Sequence, residues 1–245
     1  TQSRSSAASD VYKRQDLSCS GEVTASYWKK NLGPYLGPRT QLVVISYGSN
    51  DMRVVAQLAT YNAHLGTGKK VQGRSRKDVE QSLITILKDV RKRAPNALIL
   101  TVGYLPLVQE KHCVNLPNMT PFENTRVRHL REAADQALTT ASKTVARMSE
   151  QQWKDNGVEV VSAGISNVPF RQVHGHDLCA MGHKRFILNR EKTGVRYHYT
   201  EPGLSYIADH VAWKYLSEQL QWSRQMVYLG PVSYTHLTLP TIYSV

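Results

Sequence analysis

Residues 41–52, with the sequence QLVVISYGSNDM, decide how the fold of this chain is interpreted. Four consecutive apolar residues at positions 42–45 run into Gly48-Ser49-Asn50-Asp51, which we call the GSND turn. A short apolar, β-branched run closed by Gly and Asn predicts a buried strand followed by a tight turn. Ligands of open α/β sheets bind beyond the carboxyl ends of such strands. Asn50 and Asp51 are therefore expected at a ligand-binding edge, and a plain Asx-type turn is the alternative.

Both ends of the chain carry residues that we predict to be foreign to the fold. Residues 5–15, SSAASDVYKRQ, and residues 232–241, VSYTHLTLPT, are encoded by one DNA element read in opposite orientations. That element matches a transposase-type sequencing-library adapter. Residues 1–15 and 231–245 are therefore expected to be adapter-derived and not native. Residues 16–230 are expected to form one incomplete domain, an internal fragment whose preceding sequence is missing.

The composition limits the classes of partner. The formal net charge is +12 at pH 7, yet the Lys and Arg residues are scattered and have no interleaved aromatic side chains on which bases could stack. A solvated basic surface is the favoured interpretation, and no nucleic-acid partner is expected. No segment approaches the roughly 18 apolar residues of a membrane-spanning helix, so stable membrane insertion is not expected either.

Strand-like and helix-like patterns alternate along the chain. Strands are predicted at 42–46, 97–102 and 158–161, and helices at 52–65, 78–93, 124–152 and from 201 onward. Thr200 is the expected N-cap of the last helix. Residues 27–36 are expected to be mostly connection, and residues 162–196 a long irregular excursion. This alternation predicts an α/β domain with a parallel sheet covered on both faces.

The three cysteines, Cys19, Cys113 and Cys179, are odd in number, which in an intact secreted protein indicates a free thiol or an intermolecular bond. In a truncated protein, a lost partner is the simpler explanation. Cys113 and Cys179 lie in loop-like surroundings and are candidates to pair with each other, which leaves Cys19 with a partner upstream. Cysteine pairing favours a secreted or extracytoplasmic protein.

Three separated pieces resemble successive blocks of the SGNH (GDSL-type) hydrolases, a family of esterases and acyl hydrolases. They are Cys19-Ser20-Gly21 followed by Thr24, the GSND turn, and His198 before Thr200-Glu201-Pro202-Gly203. The resemblance covers nearly all of residues 16–230. It implies a three-layer α/β/α, flavodoxin-like fold with a mostly parallel sheet. Gly175-His176-Asp177-Leu178-Cys179 also resembles a loop of secreted, disulfide-containing members.

The resemblance assigns roles to individual residues. Gly21 and Asn50 match two donors of the oxyanion hole, and His198 matches the general base, while Gly48 and Asp51 would support the turn. Such residues suit acyl transfer, because fixed donors stabilise the developing oxyanion and a serine hydroxyl needs an adjacent base. Gly21 lets its backbone N–H approach substrate without a Cβ in the way. The implied substrate is a small-molecule carboxylic ester, of a lipid or an acetylated compound or glycan, and no cofactor is expected.

Two departures from the family pattern matter. Val195 stands three residues before His198, where the family usually has Asp, and Tyr199 replaces the usual Pro. A backbone carbonyl near residues 195–196 is then the candidate group to orient the imidazole. No Gly-Asp-Ser motif occurs in residues 16–230, and Ser18 and Ser20 are poor substitutes for the nucleophile. The first strand and the nucleophile block are therefore expected upstream of this chain, which is predicted to lack the esterase activity of its parent protein.

Two other functions remain open at this point. Five potential zinc ligands occur within ten residues, although without a standard ligand spacing: His174, His176, Asp177, Cys179 and His183. A metal-binding domain built on the loop 174–183 is therefore one alternative, although no metal is expected. The other is a non-catalytic carbohydrate- or partner-binding module that keeps the fold without the chemistry.

Overall fold

The structure is a computed structural model that describes the following residues: 16–17, 21–63, 70–109, 113, 115–155, 164–171, 173, 175–181, 184–187 and 197–227. Its elements are α1 (Thr24–Lys29), β1 (Leu42–Ile45), α2 (Val54–Ala63), α3 (Arg76–Arg93), β2 (Leu98–Val102), α4 (Pro121–Asp155), β3 (Ile165–Val168) and α5 (Glu201–Val227). A 3₁₀ turn, Gly33–Tyr35, lies between α1 and β1.

Within the described residues the sheet has three parallel strands in the order β1-β2-β3. The register pairs Leu42 with Leu98 and Ile99 with Ile165. Because the connections between parallel strands must cross the sheet, helices intervene between them, as the alternating sequence pattern predicts. The predicted α/β class with a parallel sheet is confirmed.

The two faces of β2 contact different helices, because side chains alternate along a strand. Thr101 points to α4, where its hydroxyl is 2.7 Å from that of Ser142. Leu98 and Leu100 point the other way and pack against Val211 and Tyr215 of α5. The sheet therefore lies between α4 on one face and α5 on the other, and α3 packs against α4.

The expectation that the first predicted strand is buried is wrong for one face of β1. The side chains of Leu42 and Val44 are 37% and 49% exposed, whereas Ile45 on the opposite face is buried. In α5, the apolar side chains of Leu204 and Leu220 are also largely exposed. The apolar pattern is correct in each element, but burial depends on whether another element covers it.

The predicted irregular excursion at 162–196 is wrong for residues 165–168, which form β3, whereas the strand predicted at 158–161 lies outside the described residues. The sequence of β3, ISNV, carries two polar side chains in its centre. Asn167 Oδ1 accepts from the Thr101 hydroxyl at 2.9 Å, and the Ser166 hydroxyl donates to Glu218 at 2.9 Å. These partners come from β2 and α5, so the local pattern gives no sign of a strand.

Two local predictions are confirmed. Thr200 caps α5, where its hydroxyl accepts from the Gly203 N–H at 3.2 Å. Cys113 and Cys179 form a disulfide, with their Cα atoms 4.8 Å apart. Cys19 lies outside the described residues. Helices in the described part of the chain are all too short or too polar to cross a bilayer.

Candidate active site

The GSND turn follows β1 at the carboxyl edge of the sheet, and its backbone is shaped by close packing. Gly48 has φ +122°, a conformation that L side chains rarely adopt. A Cβ at this position would lie 3.2 Å from Cγ1 of Val79 in α3. The turn is closed by hydrogen bonds from the Met52 N–H to the Gly48 carbonyl and from the Arg53 N–H to the Asn50 carbonyl. The turn is thus a compact, helix-packed structure and not a loose surface loop.

Asn50, one of the two predicted oxyanion donors, contacts the segment that carries the other, Gly21. The side-chain amide of Asn50 donates to the carbonyl of Glu22 at 3.0 Å, although the two residues are 28 positions apart. Gly21 precedes Glu22, is exposed, and has φ +80° with open space where a Cβ would lie. An Asn side-chain nitrogen carries two hydrogens, and the Glu22 contact uses one of them. The amide of Asn50 therefore lies beside the backbone that carries Gly21.

Asp51 joins the same two segments through its carboxylate. Its Oδ2 accepts from the Thr24 N–H at 2.9 Å, and its Oδ1 accepts from the Thr24 hydroxyl at 2.7 Å. The Thr24 N–H belongs to the first turn of α1, so Asp51 caps that helix from another part of the chain. Only 1% of the Asp51 side chain is exposed. The carboxylate is therefore occupied by groups of the protein itself.

Arg74 completes this contact. Its Nη1 donates to Asp51 Oδ1 at 3.0 Å and to the Thr24 hydroxyl at 2.9 Å, and its Nη2 donates to the hydroxyl of Ser82 in α3 at 2.8 Å. Its backbone N–H also donates to the Asp51 carbonyl at 2.9 Å. The Arg74 side chain is 41% exposed, so solvent screens part of the ion pair. Arg74 thereby ties α3 to the GSND turn and to the start of α1.

Tyr104, which follows β2, supports the GSND turn from the other side. Its hydroxyl accepts from the Ser49 N–H at 3.3 Å, and its own N–H donates to Asp135 Oδ1 at 3.0 Å. Burial raises the pKa of Tyr104 to about 12, so the phenol stays neutral near neutral pH. Burial also raises the pKa of Asp135 to about 6, because desolvation of the carboxylate outweighs the attraction of Arg131, whose Nη1 lies 2.9 Å from Asp135 Oδ2.

His198 lies two residues before the N-cap of α5, and its side chain is exposed. The hydrogen bonds that join residues 21–24 to Asn50 and Asp51 do not include it. Its neighbour Tyr199 pairs with Ile187 in an isolated antiparallel bridge. Desolvation raises the pKa of Tyr199, and the nearby phenol of Tyr104 and carboxylate of Asp135 act in the same direction. The segment that carries His198 is therefore anchored beside the residues that follow β2, while Val195 lies outside the described residues.

Three residues of the loop 174–183, His176, Asp177 and Cys179, contact other parts of the protein. His176 Nδ1 is 2.6 Å from the Lys184 carbonyl oxygen, and Asp177 accepts from the Gln109 N–H at 2.6 Å. Cys179 is in the disulfide. His174 and His183 lie outside the described residues. Within the described part of the chain, no group of three or more His, Cys, Asp or Glu side chains is placed to hold a metal ion.

Sequence reasoning missed the residues that hold this site together, most clearly Arg74, Tyr104 and Asp135. Arg74 is one of the scattered basic residues that the sequence analysis assigns to a solvated surface, and its partner Asp51 is 23 positions away. Tyr104 and Asp135 are 31 positions apart. The one available signal is the position of Tyr104 just beyond a predicted strand, where side chains reach the ligand-binding edge.

The solved structures that resemble this chain include two proteins from Streptomyces. Phospholipase A1 from Streptomyces albidoflavus matches with a TM-score of 0.52 and 20% identity, over 77% of this chain and 74% of that one. An extracellular lipase from Streptomyces rimosus matches with a TM-score of 0.53 and 19% identity, over 76% of this chain and 73% of that one. No protein-family model and no curated protein matches the chain. The chain therefore has the α/β fold of these two enzymes, which is the SGNH-hydrolase fold that the sequence resemblance predicts.

Proposed function

We propose that this chain is the larger part of a serine-type ester hydrolase, in which Gly21 and Asn50 supply two donors of the oxyanion hole. The observation that carries this proposal is the hydrogen bond between the Asn50 amide and the Glu22 carbonyl, which sets the Asn50 side chain next to Gly21. In this proposal the two donors come from distant parts of the chain and act at the carboxyl edge of a parallel sheet, where substrates of such folds bind.

The proposed chemistry follows from these donors. A serine hydroxyl attacks the ester carbonyl and gives its proton to the imidazole of His198, which later protonates the leaving alcohol. Negative charge develops on the carbonyl oxygen, and the Gly21 N–H with the second Asn50 N–H would stabilise it. Asp51 does not oppose that charge strongly, because Thr24 and Arg74 occupy its carboxylate. The group that orients His198 is proposed to be a backbone carbonyl.

No residue of this chain is proposed as the nucleophile, because residues 16–230 contain no Gly-Asp-Ser motif. We propose that the serine belongs to sequence encoded before residue 16 and that this chain by itself is inactive. The proposed inactivity would be wrong if this chain hydrolysed a short-chain p-nitrophenyl ester and if His198→Ala abolished that hydrolysis.

The function is tested in the extended gene product. We expect a Gly-Asp-Ser motif upstream of Gly21 and esterase activity in that longer protein. Removal of one oxyanion donor in Asn50→Ala should lower kcat by about 100- to 1,000-fold. Asn96→Ala is the matched control, because Asn96 precedes β2 at the opposite edge of the sheet, where its side chain donates to the Pro38 carbonyl. Equal activity of the Asn50 and Asn96 variants would refute the assigned role.

The absence of the motif from this chain also favours the second candidate, a non-catalytic carbohydrate- or partner-binding module. An extended gene product without Gly-Asp-Ser and without esterase activity would support it.

For the proposed hydrolase, the names of the two similar structures, a phospholipase and a lipase, favour lipid esters as the substrate class. The Cys113–Cys179 disulfide and the extracellular lipase support a secreted or extracytoplasmic location.

A further inference from the structure

A concave site lies at the same edge of the sheet as the GSND turn. It is a cavity of about 280 Å³ between the segment after β2, the first third of α4 and the segment after β3. Tyr104 connects the two sites: its hydroxyl contacts Ser49 in the GSND turn, and its carbonyl accepts from Arg131 Nη1 at 2.8 Å, where Arg131 lines the cavity. A ligand in this cavity would therefore lie beside the proposed substrate site.

The lining of the cavity is strongly basic. Three arginines, Arg128, Arg131 and Arg171, and His129 line it. The carboxylates that oppose this charge are Glu132 in the lining and Asp135, which pairs with Arg131. The Arg128–Glu132 pair is separated by 4.0 Å, with side chains 35% and 43% exposed, so it offsets little of the positive charge. Arg171 is exposed just after β3. Such a lining repels a cation and suits an acyl chain poorly, but it suits an oxyanion.

Arg131 adds an observation that is independent of the charge count. Its side chain is 7% exposed, and its Nη1 donates to the Tyr104 and Phe170 carbonyls and lies 2.9 Å from Asp135 Oδ2. Its Nε is buried and makes no hydrogen bond with any group in the described part of the chain. A buried, unsatisfied guanidinium N–H is costly, so Arg131 holds one donor without an acceptor in the described part of the chain at the wall of the cavity.

We propose that this cavity is a phosphate-binding subsite, in which Arg128, Arg131 and Arg171 hold a phosphate group beside the GSND turn. Arginine binds phosphate in bidentate geometry, and three arginines from α4 and the segment after β3 can surround one group. The phosphate can be free or can be part of an ester substrate. Binding of an ester substrate's phosphate rests on the proposed ester-hydrolase function. In that case the subsite would hold a phospholipid headgroup next to the reacting ester.

The test measures binding and not turnover, so that its failure is distinct from failure of the proposed hydrolase. Inorganic phosphate is titrated into the full chain by calorimetry at low ionic strength. We expect saturable binding that Arg128→Gln and Arg171→Gln each weaken by about tenfold, which corresponds to one charge-assisted hydrogen bond. Both residues are at least partly exposed, so folding of the variants is not at risk. Arg147→Gln is the matched control, since Arg147 is an exposed arginine of α4 about 28 Å further along the helix.

Soluble dihexanoylphosphatidylglycerol and the phosphate-free ester tributyrin then distinguish the two sources. Competition with phosphate by the phospholipid but not by tributyrin assigns the subsite to a lipid headgroup. Phosphate binding without competition by the phospholipid assigns it to free phosphate. The proposal is overturned if phosphate does not bind, or if Arg147→Gln weakens binding as much as Arg128→Gln does.

Discussion

Asp51 carries the contacts that hold residues 21–24 against the GSND turn, so replacing it with asparagine tests how this site is built. Asp51→Asn keeps the shape of the side chain but replaces one acceptor oxygen with an NH₂ group. If the NH₂ group takes the Oδ2 position, it faces the buried Thr24 N–H. If it takes the Oδ1 position, it faces the buried Thr24 hydroxyl and Arg74 Nη1. In either orientation, one buried donor loses its acceptor.

The expected destabilisation follows from these contacts. A buried donor left without an acceptor costs about 1–3 kcal/mol. The lost ion pair with Arg74 adds at most about 1 kcal/mol, because Arg74 is 41% exposed and solvent screens it. We therefore expect Asp51→Asn to lower the free energy of unfolding by about 2–3 kcal/mol, a substantial part of the roughly 5–15 kcal/mol that stabilises a typical domain.

Urea unfolding measures this loss as a lower midpoint at an unchanged m-value. Asp209→Asn is the control, because Asp209 is exposed on α5 and the same substitution there should change the stability by less than about 0.5 kcal/mol. Thr24→Val combined with Asp51→Asn should show a coupling energy of about 1 kcal/mol or more. If Asp51→Asn lowers the free energy of unfolding as little as the control does, the Asp51 contacts do not hold residues 21–24 against the GSND turn.

Two further predictions follow from the disulfide and from a buried carboxylate. Cys113→Ser with Cys179→Ser should cost about 4 kcal/mol in urea unfolding, because the bond closes a loop with a sequence separation of 66; a loss below about 1 kcal/mol would contradict this. The pKa of about 6 for Asp135 lies above its unfolded value of about 3.9, so the folded state binds more protons between these pH values. Stability should therefore fall by up to about 3 kcal/mol as the pH rises from 4 to 6. Asp135→Asn should remove that part of the pH dependence, and parallel stability profiles for the two proteins would count against the raised pKa.

The sequence determined the elements whose signals are local. The 3.6-residue stripe of α3, the apolar run of β2 and the Thr200 cap of α5 can be recognised from neighbouring residues, and all are present in the structure. The alternation of these elements also determined the α/β class, because parallel strands require crossing connections. The resemblance predicts that Gly21 and Asn50 belong to one site, and the Asn50 amide donates to the carbonyl of Glu22, the residue after Gly21.

Only the tertiary structure decided which apolar surfaces are covered and which distant polar groups meet. Val44 belongs to an apolar run that should be buried, yet it is half-exposed on the face of β1 where Leu42 is also exposed. β3 pairs with β2 through its backbone, and Thr101 and Glu218 satisfy its polar side chains. Arg74 reaches Asp51 across 23 positions, and no local periodicity records such a contact. Backbone preference and amphipathic pattern are properties of neighbouring residues, whereas burial and hydrogen-bond partners depend on groups that meet only after the chain has folded.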